Sequence, residues 1–340
     1  MRITLLAVLL VTAASALRPE EPETAALVCL KYACGNWTNT GTCLQTNSTN
    51  VLIQPCLAPL VCNTTTGLCA TNPVPPASPG WPGEACSASN PCAYGNCTSR
   101  GICQGAAVGA VCAQHDQCDT GLMCNSTGVC APLLPGGTAG CRSTFDCDYS
   151  SVCNKTFTES TGTCVIRGSV NLGQTVTDCN NSFSLMCGSN ACKASNAQQF
   201  IGSCSPAIQS AYNMPVGCGQ NADCVGTDGT NYYVGSCQCG MNPTGSAYCA
   251  PFWNDIPGIT LRNTMQLVYG HSDRCNTVRR YTNACFTATG NLNRMMVASF
   301  GFNYYPQLQG NDKCIKAVFT ATYWLNSAVA LQLALMLSLA

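Results

Sequence analysis

The sequence predicts small disulfide-rich modules in tandem, with little regular secondary structure beyond short β-hairpins, followed by a small, mostly helical C-terminal subdomain. Three observations carry that expectation. The 340 residues include 30 Cys, 31 Gly and 18 Pro, and only 9 % are charged, against ~25 % in a typical globular domain. The cysteines recur in one frame, and periods of about 20–50 residues mark arrays of small units. From Pro251 to Lys316 the cysteines thin to Cys275, Cys285 and Cys314 while aromatic and basic residues accumulate.

The chain opens with Met1 and Arg2, an apolar run from Ile3 to Val11, and the small residues Ala14-Ser15-Ala16. This is the pattern of a secretory signal peptide over residues 1–16. Secreted chains keep their disulfides, so the leader and an even cysteine count support one another. Residues 17–69 form a first cysteine-rich block with Cys29, Cys34, Cys43, Cys56, Cys62 and Cys69. A Pro-rich linker over 70–83 follows, expected to be extended and stiff.

Between residues 84 and 204 the frame is explicit. Cys86, Cys92, Cys97 and Cys103 are spaced C-x5-C-x4-C-x5-C, and Cys112, Cys118, Cys124 and Cys130 are spaced C-x5-C-x5-C-x5-C. Cys141, Cys147 and Cys153 repeat the five-residue gaps before Cys164, and Cys179, Cys187, Cys192 and Cys204 make a looser copy. The intervening text repeats as well, since Leu60-Val61-Cys62-Asn63 parallels Leu122-Met123-Cys124-Asn125. First cysteines lie 26, 29, 38 and 39 residues apart from Cys86 to Cys218, too little chain to bury an adequate core without covalent staples. Each short loop closed contributes about 2–3 kcal/mol in the chain-entropy model. Four cysteines allow three pairings, all of which the spacing leaves open. Structural zinc needs paired ligands at C-x2–4-C spacing. The repeats offer mainly five-residue gaps, and the chain has only His115 and His271, so no metal and no cofactor is expected.

The four-cysteine frame with Asp116-Gln117-Cys118-Asp119-Thr120-Gly121-Leu122-Met123-Cys124 resembles the Dickkopf N-terminal cysteine-rich module. Chains with a leader, tandem modules and an apolar tail are similar to cysteine-rich surface proteins of ciliates. The resemblance spans about residues 29–249 and implies a disulfide-bonded, non-catalytic surface domain. Over residues 205–250, Cys218, Cys224, Cys237, Cys239 and Cys249, taken with Cys204, resemble the six-cysteine spacing of epidermal-growth-factor-like domains. The acidic pair of the calcium-binding versions is missing before Cys204, where Phe200-Ile201-Gly202-Ser203 stands, so no calcium is expected. A competing division gives Cys204 to the preceding four-cysteine unit. Modules strung on Pro-rich connectors predict an elongated rod.

N-x-S/T sequons stand at Asn36, Asn47, Asn63, Asn96, Asn125, Asn154 and Asn180, with none after residue 182. Acceptor sites need an exposed surface, so glycan is expected on the N-terminal modules and not on the C-terminal half. Residues 251–316 read as a membrane-proximal helical subdomain, with helices over 259–269 and 277–287, Gly270 as a stop, Asn276 as a cap and a Cys275–Cys285 bridge. Arg274, Arg279 and Arg280 suit either an anion or headgroup site or, more commonly, a solvated helix face. Residues 317–340 carry no charge. A spanning helix normally has Lys or Arg on its cytoplasmic side, whereas here Lys313 and Lys316 precede the segment. A glycosylphosphatidylinositol signal fits this pattern, with a membrane span or a buried helix as alternatives. Attachment at Asn326, in Asn326-Ser327-Ala328, keeps all 30 cysteines, whereas Gly310-Asn311-Asp312 discards Cys314 and leaves an odd count.

Fifteen basic and fifteen acidic residues cancel, which leaves no global field for nucleic acid or another polyanion. No phosphate-binding Gly loop, HExxH or nucleophile elbow occurs, and His271-Ser272-Asp273 is not a triad, because triad residues converge from separate elements. His115, inside a repeat, reads as an exposed turn residue. The expected function is therefore non-enzymatic: a glycoprotein at the extracellular face of the plasma membrane, displaying a disulfide-stapled stalk for adhesion, recognition or coat. Its partner would be an extracellular protein or glycan. A secreted signalling ligand or antagonist is the alternative, and an extracellular enzyme inhibitor the third.

Overall fold

The computed structural model describes residues 27–35, 40–71, 79–180, 183–196, 200–310, 313–316 and 318. The leader, Asn36, residues 72–78 of the Pro-rich linker and the tail from residue 319, with Asn326, lie outside them. All 30 cysteines are described and all are paired, in 15 disulfides.

Twelve of these bridges belong to six copies of one unit. In each copy the first cysteine bonds the third and the second bonds the fourth: Cys43–Cys62 with Cys56–Cys69, Cys86–Cys97 with Cys92–Cys103, and Cys112–Cys124 with Cys118–Cys130. The same order joins Cys141–Cys153 with Cys147–Cys164, Cys179–Cys192 with Cys187–Cys204, and Cys218–Cys237 with Cys224–Cys249. The hairpin explains the choice among three pairings. The third and fourth cysteines are always cross-strand partners, as Cys124 opposite Cys130 in the pair Leu122–Cys124 and Cys130–Pro132, and likewise Cys62 opposite Cys69 and Cys153 opposite Cys164. Partners in register point to one face of the ladder, so both sulfurs meet the loop that carries the first two cysteines. That loop is shaped by a 3-10 turn ahead of the second cysteine, at His115–Gln117, Thr144–Asp146 and Asn221–Asp223. In all three turns the last residue folds its side chain back to the backbone N–H of the preceding cap residue, a capping box. Four of the six hairpins, closed by Gly67, Gly101, Gly128 and Gly245, turn on a glycine of positive φ, as at Gly128, where φ of +74° is a conformation that only a residue without Cβ adopts freely.

Two groupings read from the sequence change. The six cysteines from 204 to 249 do not form a closed set: Cys218–Cys237 and Cys224–Cys249 pair within it, but Cys204 closes on Cys187 and Cys239 on Cys29. The competing division, with Cys204 in the preceding unit, is the one the bridges follow. The first block likewise contains one complete unit from Cys43 to Cys69, and its spare cysteines Cys29 and Cys34 reach across the chain to Cys239 and Cys314.

Those two long bridges overturn the rod. They tie the start of the described chain to residues 239 and 314, and the intervening modules are gathered about the C-terminal subdomain instead of trailing from one another. The subdomain contains the α-helices α1 (Ile256–Gly270), α2 (Asn283–Ala288) and α3 (Leu292–Asn303), and residues 313–316 are helical as well. Gly270 ends α1, and Asn276 caps with its side chain accepting from the Val278 N–H at 3.0 Å. The single helix expected over 277–287 is broken: a 3-10 turn covers Thr277–Arg279, and Thr282 restarts the chain by accepting from the Cys285 N–H. The Cys275–Cys285 bridge clasps this break. The chief apolar core lies between modules and helices, where Val152, Val176, Leu185 and Met186 pack with Leu261, Met265, Val268, Tyr269, Phe286 and Met295. A stack of Phe183, Trp253 and Phe302, with ring centroids 4.3 and 4.4 Å apart, extends it. Small modules that lack a core of their own thus share one.

Candidate functional site

The groups with the most chemistry collect where the subdomain meets the modules. Arg280 is fully buried, with 0 % exposure. Its Nη1 donates to the carbonyls of Cys147 at 3.1 Å and Asp148 at 3.0 Å, and its Nη2 to the Thr144 carbonyl. The guanidinium lies over Tyr149, Tyr281 and Phe145, with centroids 5.3, 5.4 and 5.9 Å away. Burial pulls its pKa down from the usual arginine range. Both sequence readings of Arg280, an anion site and a solvated face, fail for the same reason: the side chain is fully buried and both terminal nitrogens are engaged by the module's carbonyls. Arg279 pairs with Glu84 at 3.3 Å and lies over Trp81 at 4.7 Å, which leaves Arg274 as the exposed member of the trio.

Three further groups join the subdomain to the modules. The Tyr149 hydroxyl donates to the Cys275 carbonyl at 2.6 Å and accepts from the Gly121 N–H. The Asn276 amide donates to the carbonyls of His115 at 3.1 Å and Cys118 at 2.9 Å. Arg167 donates to the Tyr281 hydroxyl and lies over Tyr269. Burial alone would raise the Tyr281 hydroxyl pKa, but the Arg167 and Arg280 charges outweigh it and hold it below the ordinary tyrosine value. Tyr269, deeper and less compensated, is pushed up by burial.

His115 is a structural hinge pin and not the exposed turn residue expected. Its Nδ1 accepts from the Cys124 N–H at 3.1 Å, and its Nε2 lies 3.5 Å from Asp146. Burial lowers its pKa, against a smaller upward pull from Asp146 and with Arg142 and Arg280 adding to the fall. His271 turns its Nδ1 to the Leu267 carbonyl at 2.7 Å. Ser272 is buried and donates to the Val268 and Arg280 carbonyls, so these neighbours serve the helix end and do not converge. The cysteine triads whose sulfurs lie close enough for a metal, such as Cys112, Cys118 and Cys130, consist of disulfide sulfurs, which lack the thiolate that zinc requires.

Of the sequon asparagines, Asn47, Asn63 and Asn96 are exposed, and Asn125, Asn154 and Asn180 are half-buried. Asn47 and Asn63 occupy tight turns in which Oδ1 accepts the N–H two residues on, from Thr49 at 3.1 Å and Thr65 at 3.0 Å. Asn125 repeats this with both the N–H and the hydroxyl of Thr127. The Oδ1 of Asn154 instead accepts from the Thr177 hydroxyl at 2.9 Å.

The remaining feature is one the sequence reading missed. α3 packs beside α1, and between them runs an open groove of about 880 Å³ lined by Ile256, Thr260, Arg294, Val297, Tyr305 and Lys316, among others. The sequence held a signal for α3, since Leu292, Met295, Met296, Ser299 and Phe300 fall at helical spacing. No family model, curated protein or solved structure matches this chain. Fifteen disulfides with no free thiol mark an extracellular protein, because the cytosol keeps thiols reduced.

Proposed function

We propose that this chain is a non-enzymatic, N-glycosylated protein attached to the extracellular face of the plasma membrane. There it presents the loops of its modules for adhesion, recognition or as a surface coat. The observation that carries the attachment is the Cys34–Cys314 bridge. It anchors the first module to the residues that lead directly into the uncharged stretch 317–340. A lipid transferred to Asn326 leaves every bridge intact, whereas transfer at residues 310–312 cuts the chain between Cys314 and the subdomain. The display surface is a closed cluster of modules and not a stalk, which brings loops from several modules to one particle.

The test is phospholipase C treatment of intact expressing cells, followed by intact mass of the released protein. Release of a chain ending near Asn326 with a glycolipid remnant supports the reading. Retention with Ala340 present means a spanning tail, and free protein in the medium moves a secreted ligand or antagonist into first place.

A further inference from the structure

We infer that the groove between α1 and α3 is the face on which the folded protein rests against phospholipid, with Arg294 and Lys316 taking headgroup phosphodiesters and Ile256 and Val297 dipping to the acyl boundary. The inference rests on the membrane attachment proposed above and adds to it a docked orientation. Four observations favour a bilayer as the occupant. Ile256 is 80 % exposed and Val297 58 % exposed, and both line the same groove. Such residues cost little at a membrane interface and are poorly placed in water. Among the described residues, the groove's charged lining is Arg294 and Lys316, with no carboxylate, and neither cation has an ion-pair partner there. Asp255, which caps α1, is engaged by the N–H groups of Ser210 and Phe252, both at 2.8 Å. Tyr305 adds an amphipathic ring to the rim, the residue type enriched at headgroup depth. Finally, Lys316 immediately precedes the uncharged stretch 317–340, so a lipid or span held by that stretch brings this groove near the bilayer, together with the first module, which packs on Cys314, Ile315 and Val318. A positive, apolar-floored face complements phosphodiesters electrostatically and the acyl boundary hydrophobically.

The test places the photo-cross-linker p-benzoylphenylalanine at Val297 or Ile256 in the full chain, expressed on cells fed alkyne-choline so that choline phospholipids carry a chemical handle. Val108 and Val111, exposed on a module, serve as control positions. The expected result is a phospholipid adduct at Val297 and Ile256 roughly tenfold above that at Val108 and Val111. In Arg294→Gln/Lys316→Gln the adduct should fall roughly tenfold, which corresponds to ~1.4 kcal/mol. These variants lie on the surface, so secretion and disulfide content should match the parent. A chain that fractionates with membranes yet gives no more lipid adduct at Val297 than at Val108 overturns the docked orientation and spares the attachment. A chain absent from the membrane fraction overturns both. A protein adduct at Val297 assigns the groove to a protein partner and overturns the inference.

Discussion

Replacing Arg280 by Met should detach the helical subdomain from the fourth of the six units, residues 141–164, without unfolding either. The magnitude follows from what the guanidinium does. It satisfies three carbonyls, those of Cys147, Asp148 and Thr144, and a buried acceptor left without a donor costs about 1–3 kcal/mol. Methionine of similar length retains most of the packing against Tyr149 and Tyr281, and it relieves the cost of burying a cation. The Cys147 carbonyl keeps no other donor among the described residues, whereas those of Thr144 and Asp148 retain the N–H groups of Cys147 and Ser151 and each lose one hydrogen bond of about 1 kcal/mol; less that relief, the net loss is about 3 kcal/mol, the lower end for breaking a buried charged contact. The loss should be local, because the bridges Cys141–Cys153 and Cys147–Cys164 hold the module and Cys275–Cys285 holds the helical break. Hydrogen exchange with disulfides intact is the assay. Amides of α2 and of residues 277–282 should lose roughly a hundredfold in protection, while those of Ser151–Asn154 and Gly162–Ile166 keep theirs. Arg280→Lys should fall between, since one ammonium can reach two of the carbonyls but lacks the planar fork. Unchanged protection in Arg280→Met, or equal loss in module and helices, would refute the view of this side chain as the latch.

Peptide mapping without reduction should recover Cys112–Cys124 and Cys118–Cys130 as separate bridges; a Cys112–Cys118 or Cys124–Cys130 peptide would contradict the repeated pairing. The double variant Cys34→Ser/Cys314→Ser should lose about 4 kcal/mol of stability to denaturant. Cys29–Cys239 already shortens the loop it closes to roughly 80 residues of effective chain. Acidification should weaken the contact at His115: above about pH 6.5 the imidazole is neutral in both states, and below it the unfolded chain takes the proton first because burial depresses the folded value. Stability therefore falls as pH drops through that window, and His115→Gln should flatten the slope relative to the parent. Peptide-N-glycosidase treatment should shift mass by one glycan for each used site, with Asn47→Gln and Asn63→Gln each removing one step.

The modular half of the fold was written in the cysteines, and the subdomain was only partly legible. Spacing shows that Cys112, Cys118, Cys124 and Cys130 form a unit, but pairing depends on which faces the hairpin presents, a register property that gaps of five residues do not encode. The long bridges were harder still. Nothing local to Cys29 or Cys34 distinguishes them from the cysteines of a unit except that they are left over once Cys43 to Cys69 is closed. Arg280 misled for a comparable reason. Its neighbours in sequence are Arg279 and Tyr281, which read as a basic helix face, whereas its partners are carbonyls 132 to 136 residues away. Carbonyls leave no trace in a sequence. The α1–α3 groove depends on α3, whose apolar spacing was present but was masked by the density of Asn and Met.

The closed arrangement follows from two shortages acting together. With 9 % charged residues the modules have few ion pairs to hold neighbours apart or together, and each unit of four cysteines buries little beyond its own sulfurs, as the core of Cys112, Cys118, Cys124 and Cys130 shows. Units of this kind stay folded by covalent closure, yet their outer faces still carry residues such as Val152, Val176 and Met186 that favour burial. The helical subdomain supplies the missing partner surface. Its Arg280 and Asn276 add donors to module carbonyls of Thr144, Cys147, Asp148, His115 and Cys118, and its helices cover the apolar faces. The bridges to Cys239 and Cys314 then fix the chain's first block to the same body. A protein so closed can present several loops at once while leaving one face, the groove between α1 and α3, uncovered by any module.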